Sequence, residues 1–496
     1  MVPLNDQKHK RRLYGVCISG IESLGVASPL QQKLALEIIM KKVKNICIVG
    51  GGSAGYMLAS YMSAQAPVIK ITMIVPEKEP TVGVGEATLL DFKPFMDACG
   101  LYNEKEWMYA TDATYKCGIN HTGWRKDGQD VWHSFGQFKE SVVERVGTEG
   151  IVTQNKFEQF KWAKKPYKFF VEEILPHYNI VIDELRISPN KGYHLDSQKW
   201  ANYLKNNLIT KYNVTFINKK IIKVNGTDKC TGIVYDDGTA DSYDFYIDCT
   251  GFAAIFKDIG NLEFQDLSDY ILSNSACATH ISYKDIDKEQ FAYTRPDATD
   301  DGWCWTIPIK TRIGSGWVYN DEFLDEEGAE VAMKNYWGED RIIDGKFTHL
   351  HWKTGYNKNM WRDNVISIGL SNGFIEPLES TGISFFLNAS ASFVDRIKKG
   401  FILPDDITMF NSQMGLKYQE AGDFVLAHYN PDSVFRNTPF WNKVKKGKST
   451  SSLEKRHSNY LEYGARNELL SLNDNFANHS WATVFEGFYK DGYFNG

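Results

Sequence analysis

The stretch that decides the fold is Ile46-Cys47-Ile48-Val49-Gly50-Gly51-Gly52-Ser53-Ala54-Gly55. A short buried-strand run leads directly into G-x-G-x-x-G, and residues 56–61 then continue as a helix. Gly50 permits the tight turn, Gly52 lets a pyrophosphate approach the backbone, and Gly55 lets the helix pack on the strand. A second strand is predicted at Ile69–Val75. This βαβ context favours dinucleotide binding over a plain turn.

Length and composition describe a large globular protein. The chain has 496 residues, is 43% hydrophobic and carries a net charge of −6, which gives no sign of affinity for nucleic acid or for anionic membranes. No apolar run approaches the length of a membrane span. The 8 cysteines form no C-x-x-C pair, so they are interpreted as buried thiols in a reducing compartment, and no metal site is expected. We expect a soluble, cytoplasmic protein. Its composition is compatible with a homo-oligomer.

The first 39 residues differ from the rest of the chain. The basic cluster Lys8–Arg12 precedes a mildly apolar stretch that Glu22 interrupts, which disfavours a signal peptide. Met40 then begins a segment that reads as a natural start. Residues 1–39 are therefore predicted to be an extension outside the core.

A late stretch, Glu376–Ile383, combines two carboxylates with a predicted helix start. Ser380 and Thr381 are N-cap candidates before an apolar run. A helix that opens there aims unpaired N–H groups and a positive dipole end at an anion. A capped surface helix with acidic residues before it remains the alternative at this point.

Three further patterns are ambiguous when each is taken alone. Gly83 and Gly85 form a loop that either lies against a flat group or is a plain turn. Lys116 lies between an aromatic and small residues, and is either functional or solvated. His133 and Phe135 share a face of an extended segment, where they either stack on a flat ligand or pack in the core.

Together these motifs resemble the flavin-dependent halogenases, the tryptophan-halogenase family within the FAD monooxygenase superfamily, from about residue 40 to residue 440. The tryptophan pair with Ile-Pro and the Glu-Pro-Leu-Glu-Ser-Thr-Gly run look like family signatures. The stretches that carry the resemblance are Gly50–Gly55, Gly83–Thr88, Tyr115-Lys116, His133–Gly136, Asp248–Phe252, Trp303–Pro308 and Phe374–Ile383.

The resemblance implies an α/β fold with a Rossmann-type FAD-binding domain, an interwoven substrate-binding region and a helical C-terminal part. The domain boundaries that follow are residues 40–395 for the FAD-binding module with its inserted substrate-binding segments. Residues 396–496 form a mainly helical region that covers the substrate site.

The resemblance also implies an enzyme, a flavin-dependent halogenase. Reduced FAD comes from a separate flavin reductase as diffusible FADH2, and O2 and a halide ion (chloride, bromide or iodide) are the other reactants. Hypohalous acid formed at the flavin passes through a tunnel to Lys116, which holds it or forms a haloamine. Glu379 polarises the halogen donor and takes the ring proton, and Glu376 is structural. Thr381 and Gly382 hold the halide.

Further residue roles are carried over from the same resemblance. His133 and Phe135 sandwich the substrate ring, with Ser380 beside them. Trp303 and Trp305 line the flavin and prevent hydroxylation. The residues implied to bind the cofactor are Gly50, Gly52, Ser53, Ala54, Gly55, Gly83, Gly85, Glu86, Ala87, Thr88, Trp303, Trp305, Gly369 and Ile383.

The main departure from the family pattern lies near the C-terminus. Family members that act on free tryptophan carry a Tyr-Tyr-Gly motif and a Glu-rich lid segment, whereas this chain has Glu462-Tyr463-Gly464. A more open site for indole- or phenol-type substrates is therefore expected in place of free tryptophan. The alternatives are a flavin-dependent aromatic hydroxylase and a flavin-binding protein without halogenase activity.

Overall fold

The computed structural model describes residues 41–77, 86–135, 166–174, 191–430, 435–464 and 476–489. The predicted extension at residues 1–39, together with Gly83 and Gly85, lies outside these ranges.

The elements are numbered here in chain order. The strands are β1 (Lys41–Lys42), β2 (Asn45–Val49), β3 (Lys70–Ile74), β4 (Glu86–Ala87), β5 (Thr114–Lys116), β6 (Gly118–His121), β7 (Val131–Ser134), β8 (Gly192–Leu195), β9 (Thr215–Ile217), β10 (Ile221–Gly226), β11 (Cys230–Tyr235), β12 (Ala240–Asp241), β13 (Phe245–Asp248), β14 (Phe264–Asp266), β15 (Ser275–Ile281), β16 (Arg295–Ala298), β17 (Gly302–Pro308), β18 (Ile313–Tyr319), β19 (Thr348–His351), β20 (Gly355–Asn357), β21 (Trp361–Arg362), β22 (Val365–Ser367), β23 (Gly373–Phe374) and β24 (Phe401–Ile402). The longer helices are α1 (Ser53–Gln65), α2 (Phe92–Ala98), α3 (Glu104–Ala110), α4 (Ser197–Lys211), α5 (Glu326–Trp337), α6 (Thr381–Ile397), α7 (Pro404–His428), α8 (Pro439–Val444), α9 (Ser451–Tyr463) and α10 (Asn478–Phe488).

The half of the molecule that carries the glycine motif is built on a sheet that contains six of the described strands, in the order β21-β22-β13-β2-β3-β9. All of them run parallel except the edge strand β21. Strand β13 is buried throughout and β2 nearly so, which is why their sequences are continuous apolar runs and do not alternate. Helix α1 connects β2 to β3 and packs against α4 and α6. The predicted βαβ unit and the Rossmann-type α/β fold class are confirmed.

The three motif glycines occupy three different environments. Gly50 has φ +112°, and a Cβ there would lie 2.2 Å from the carbonyl oxygen of Cys249. A Cβ on Gly55 would lie 2.2 Å from the carbonyl oxygen of Gly50, so the start of α1 can approach the strand only because the side chain is absent. A Cβ on Gly52 would meet nothing within 4 Å. The turn therefore leaves open space at the start of α1.

A second, antiparallel sheet stands beside the first. In the part of the chain described, its strand order is β16-β17-β18-β15-β19. Because side chains alternate along β17, Trp303 and Trp305 face the main core, whereas Cys304 faces a smaller core formed with α5. The tryptophan pair is thus directed towards the centre of the molecule.

The C-terminal helices pack over the middle of the chain. Helix α7 lies against α6, and α10 lies against both α7 and β7. Gly487 permits the close approach of α10, since a Cβ at this position would lie 2.3 Å from Cγ1 of Val131. The described cysteines are buried free thiols, as predicted. No helix of the described ranges has both the length and the hydropathy needed to cross a membrane.

Candidate active site

Lys116 ends strand β5 and is fully buried. Its Nζ donates a hydrogen bond to Oγ of Ser380 at 2.7 Å and lies 4.9 Å from the ring centre of Phe135. Burial lowers the pKa of Lys116 to about 7, although the charge of Glu379 acts in the opposite direction. A substantial fraction of this side chain is therefore a neutral amine at neutral pH.

Ser380 occupies the predicted N-cap position of α6 but does not cap the helix. Its backbone is left-handed, with φ 58° and ψ 32°, and its side chain accepts no hydrogen bond from the first turn. The N-cap prediction for Ser380 was therefore wrong in its contact: the hydroxyl serves Lys116 instead. Thr381 is the first residue of the helix and not its cap. Left-handed backbone at a non-glycine residue costs about 1 kcal/mol, and such strain is often found at functional sites.

Glu379 is fully buried, and three histidines of the described chain surround its carboxylate. Nε2 of His428 lies 2.8 Å from Oε1 and Nε2 of His121 lies 3.1 Å from the same oxygen, while Nδ1 of His133 lies 2.6 Å from Oε2. Burial alone would raise the pKa of Glu379, but the charge of His133 and the hydrogen bonds from the histidines outweigh it and hold the pKa well below its usual range. Glu379 is therefore a carboxylate at neutral pH.

Each histidine is oriented by a second contact on the opposite side of its ring. Nδ1 of His121 donates to the carbonyl oxygen of Val131 at 3.3 Å, and Nδ1 of His428 donates to that of Phe424 at 2.8 Å. Nε2 of His133 lies 2.8 Å from Oγ of Ser480 on α10. Burial lowers the pKa of His121 to about 4. The position of Glu379 thus depends on β6, β7, α7 and α10 together.

Aromatic rings border this polar cluster. The rings of Phe424 and Phe476 stack with centroids 3.7 Å apart, and His133 lies 5.6 Å from Phe424. His133 lies on β7 and Phe135 directly follows this strand, and their rings are 6.0 Å apart and nearly perpendicular, at 82°. In this arrangement they do not form a parallel sandwich. Their contact with a substrate remains a prediction.

The start of α6 lies next to Glu379 and carries the predicted halide residues. The described side chains offer no hydrogen-bond partner to the hydroxyl of Thr381, and a Cβ on Gly382 would meet nothing within 4 Å. No acidic residue and no side-chain cap neutralises the first turn of α6. An anion is favoured at such a helix start. Ile383 is buried in the core beside it.

Glu376 is enclosed separately from Glu379. The side chains of Ser273, Trp303 and Tyr429 face its carboxyl group without reaching full hydrogen-bond geometry. Burial raises the pKa of Glu376 to about 7, and these three neighbours only moderate the rise. The pKa values of these two carboxyl groups, three residues apart, are thus shifted in opposite directions. Glu379 remains charged, whereas Glu376 retains its proton more readily.

Glu376→Gln is expected to stabilise the protein at alkaline pH. The pKa of Glu376 is about 7 when folded and near 4.5 when unfolded, so the cost of ionising it in the folded state grows as pH rises through this window and reaches about 3 kcal/mol. The glutamine does not carry this cost. The free energy of unfolding is measured by denaturant titration at about pH 5 and about pH 8. The value for the variant minus that for the wild type should be larger at the higher pH. A difference that stays constant with pH would contradict this assignment.

The residues predicted to hold FAD fit a dinucleotide. Gly52, at the start of α1, faces open space, and α1 has no side-chain cap. The same holds for Gly382 at the start of α6, which was predicted to hold the halide. Ser53 and Ala54 open α1, and a Cβ on Gly369 would lie 3.0 Å from that of Ala54, so this glycine adjoins the motif. Three more of the predicted residues, Glu86, Ala87 and Thr88, lie on or next to β4, and the hydroxyl of Thr88 accepts a hydrogen bond from the backbone N–H of Tyr193.

The βαβ unit with its glycine motif, and a buried lysine whose partner Ser380 adjoins Glu379, are features that the resemblance to flavin-dependent halogenases implied. The family profile described as tryptophan halogenase matches residues 45–490. The chain therefore belongs to the tryptophan halogenase family, as the motifs predicted, and FAD is the cofactor that this family implies.

Individual relatives agree with this assignment. The chain is 30% identical over 460 residues to the tryptophan 6-halogenase ThaL of Streptomyces albogriseolus, covering 84% of this chain and 82% of the relative. It is 29% identical to the tryptophan 7-halogenase RebH of Lentzea aerocolonigenes, covering 84% and 82% of the two chains. A flavin-dependent halogenase from Xanthomonas campestris has a solved structure with a TM-score of 0.74 at 28% identity, covering 90% of this chain and 89% of that one.

Sequence reasoning missed several residues that the structure places in the site. His121, His428 and Ser480 contact the Glu379 cluster, and none of them belongs to a recognisable motif. A prediction of long-range contacts between β6, α7 and the start of α6 would have been needed to find them. The more open substrate site stays a prediction. Within the described residues Glu379 and Lys116 are fully buried, and Phe476 and α10 contact His133 beside Glu379.

Proposed function

We propose that the protein uses FADH2 and O2 to halogenate an electron-rich aromatic ring of the indole or phenol type, with Lys116 delivering the halogen and Glu379 accepting the ring proton. The observation that carries this proposal is the hydrogen bond from Lys116 to Ser380. It joins residues 264 positions apart and places the amine next to Glu379 in a fully buried site.

The chemistry of Lys116 follows from its environment. With a pKa of about 7, its neutral amine has a lone pair that can hold hypohalous acid by hydrogen bonding or react with it to give an N-halo amine and water. Because the site is buried, the oxidant is kept from water and from other side chains. Oγ of Ser380 accepts a hydrogen bond from the amine of Lys116 and so fixes its direction.

Glu379 completes the transfer. When an aromatic carbon takes the halogen, its hydrogen leaves as a proton, and a carboxylate close to the lysine can accept it and return it to the amine. The histidine contacts keep Glu379 charged, which makes it a weak base. A weak base suffices, since a halogenated ring cation is a strong acid.

The cofactor and halide roles rest on the glycines and on the helix starts. Bound FADH2, together with O2, halide and a proton, supplies hypohalous acid, leaving FAD and water. Gly52 would hold the pyrophosphate, and Thr381 with Gly382 would hold the halide at the start of α6. Trp303 and Trp305 would keep water from the flavin. A separate flavin reductase would supply FADH2, since flavin-dependent halogenases in general use such a reductase.

The substrate is proposed to be a simple aromatic and not free tryptophan. Phe135, Phe424 and Phe476 provide apolar surface around the Lys116–Glu379 cluster. Tyr463, which stands in place of the lid tyrosines, is 59% exposed at the end of α9 and does not cover a buried ring. A zwitterionic amino-acid group would therefore lose the partners that the usual lid provides.

A panel of aromatic compounds tests this proposal. Indole, a phenol, tryptophan and an unactivated benzene are each supplied with FADH2, O2 and chloride, bromide or iodide, and the products are read by mass spectrometry. We expect halogen isotope patterns on indole and phenol, little product from tryptophan and none from benzene. Turnover of tryptophan alone would overturn the substrate assignment. Hydroxylated products that do not depend on halide would overturn the halogenase assignment itself.

A further inference from the structure

His121, Glu379 and His428 form a compact set of potential metal ligands. Their nearest ligand atoms all lie within 4.8 Å of one another, and all three side chains are fully buried. They come from β6, from the turn before α6 and from the last turn of α7. Two imidazoles and one carboxylate are a ligand set that proteins use for Zn²⁺ and Fe²⁺.

The hydrogen bonds on the outer side of the rings fix which nitrogens face the carboxylate. Since a carbonyl oxygen can only accept, Nδ1 of His121 and Nδ1 of His428 must each carry the proton. In a neutral imidazole the other nitrogen, Nε2, then presents a lone pair. Both lone pairs point at Oε1 of Glu379, at 3.1 Å and 2.8 Å.

When both imidazoles are neutral, three electron-rich atoms are directed at one point, and a positive charge is needed between them: either protons on the Nε2 atoms, as in the hydrogen bonds to Glu379 described above, or a metal ion. A metal ion supplies it without changing either tautomer. At His121, Nε2 lies 3.1 Å from Oε1 of Glu379 without full hydrogen-bond geometry, and a metal ion bound by both atoms does not require that geometry. Metal-bound histidines usually donate their second ring N–H to a backbone carbonyl, as both of these do.

His133 leaves Oε1 available. It contacts the other carboxylate oxygen, Oε2, at 2.6 Å and Ser480 on the far side of its ring, so it orients Glu379 without occupying the space between His121 and His428. Three protein ligands leave a fourth, exchangeable position on a tetrahedral ion.

We propose that His121, Glu379 and His428 bind one divalent transition-metal ion of the Zn²⁺ or Fe²⁺ type. The binding itself does not depend on the proposed function. One consequence does rest on it: an ion on Oε1 takes the carboxylate needed as proton acceptor, so the metal-loaded protein should halogenate at least about tenfold more slowly, and a chelator should restore the rate.

Cobalt titration tests the site directly. The full-length protein is dialysed against a chelator, freed of it and titrated with Co²⁺, whose visible d–d absorption intensifies in a four-coordinate site. We expect saturation at one equivalent and loss of the band on addition of Zn²⁺. His121→Ala and His428→Ala should each weaken affinity at least about 100-fold. His457→Ala should not, since this histidine lies on α9, with its ring centre 4.2 Å from that of Tyr489.

A second measurement covers variants that fail to fold. Crystals of the wild-type protein grown with Zn²⁺ should show an anomalous difference peak between the three ligand atoms. No saturable Co²⁺ band, or a peak elsewhere, overturns the metal site. Halogenation assayed in chelator separates the two proposals: activity without Co²⁺ binding overturns the metal site alone, and Co²⁺ binding without activity overturns the proposed function alone.

Discussion

Lys116→Met should abolish aromatic halogenation, lowering the rate at least about 10³-fold, while leaving FAD binding intact. The thioether has no proton to donate to Ser380 and cannot form an N-halo amine. The thioether can consume one equivalent of hypohalous acid, becoming the sulfoxide with release of HX, but it cannot pass the halogen to the substrate, so oxidant from later turnovers should escape. The measurement is product formation by mass spectrometry, with taurine added as a diffusible trap for escaping oxidant. We expect chlorotaurine to rise as the aromatic product disappears.

The stability of the variant separates a catalytic role from a structural one. Holding a buried lysine at a pKa of about 7, against 10.5 in the unfolded chain, costs on the order of 5 kcal/mol below pH 7. This cost is absent above the unfolded pKa and grows as pH falls towards the folded one. Methionine fills a similar volume without it, so the variant should unfold at a temperature no lower than the wild type near neutral pH.

A matched control removes a different buried lysine from the same sheet. Lys191 precedes β8, with its Nζ 3.0 Å from Glu104 and 4.5 Å from the ring centre of Tyr115. Lys191→Met should keep the halogenation rate within a few-fold of the wild type. Normal product formation by Lys116→Met, or its loss in both variants, would contradict the assigned role.

Local patterns predicted much of the fold. The strand before Gly50, the glycine spacing and the apolar helix after it are encoded within about twenty residues, and each feature has one physical cause. The alternation that directs Trp303 and Trp305 to one face is likewise local, since it requires only an extended chain. The two predicted strands agree with β2 and β3 to within one residue at each end, whereas α1 begins earlier and ends later than the predicted residues 56–61.

The histidine cluster could not be predicted in this way. His121 ends β6 and His428 ends α7. Both contact Glu379 only because the β6–β7 antiparallel pair and helix α7 reach the turn before α6. A single sequence gives no sign of that convergence, so the cysteine pattern alone led to the expectation of no metal site. The contact of Ser380 was missed for a related reason. A serine at this position favours capping of the helix, but its hydroxyl instead accepts a hydrogen bond from Lys116, which is distant in the sequence.

Glu379→Gln is expected to reduce halogenation about 10²- to 10⁴-fold, because an amide cannot accept the ring proton. Glutamine keeps the size of the side chain and one oxygen for the histidines. Glu376→Gln provides the matched control: it is the same substitution three residues earlier, in an equally buried carboxyl group, and it should change the rate only a few-fold. The two variants together test whether the charged carboxylate is the one that reacts.

A ring-deuterated substrate makes the role of Glu379 specific. In the wild type the charged carboxylate of Glu379 can accept the ring proton at once, so its removal should be fast. Deuterium at the reacting carbon should then not slow turnover. In Glu379→Gln that step becomes the slowest, and a primary isotope effect should appear in the rate. A general loosening of the site by the three displaced histidines would lower the rate but would not make it sensitive to the carbon–hydrogen bond. A slow variant without an isotope effect would therefore assign Glu379 to positioning, and an isotope effect confined to Glu376→Gln would reverse the roles of the two carboxylates.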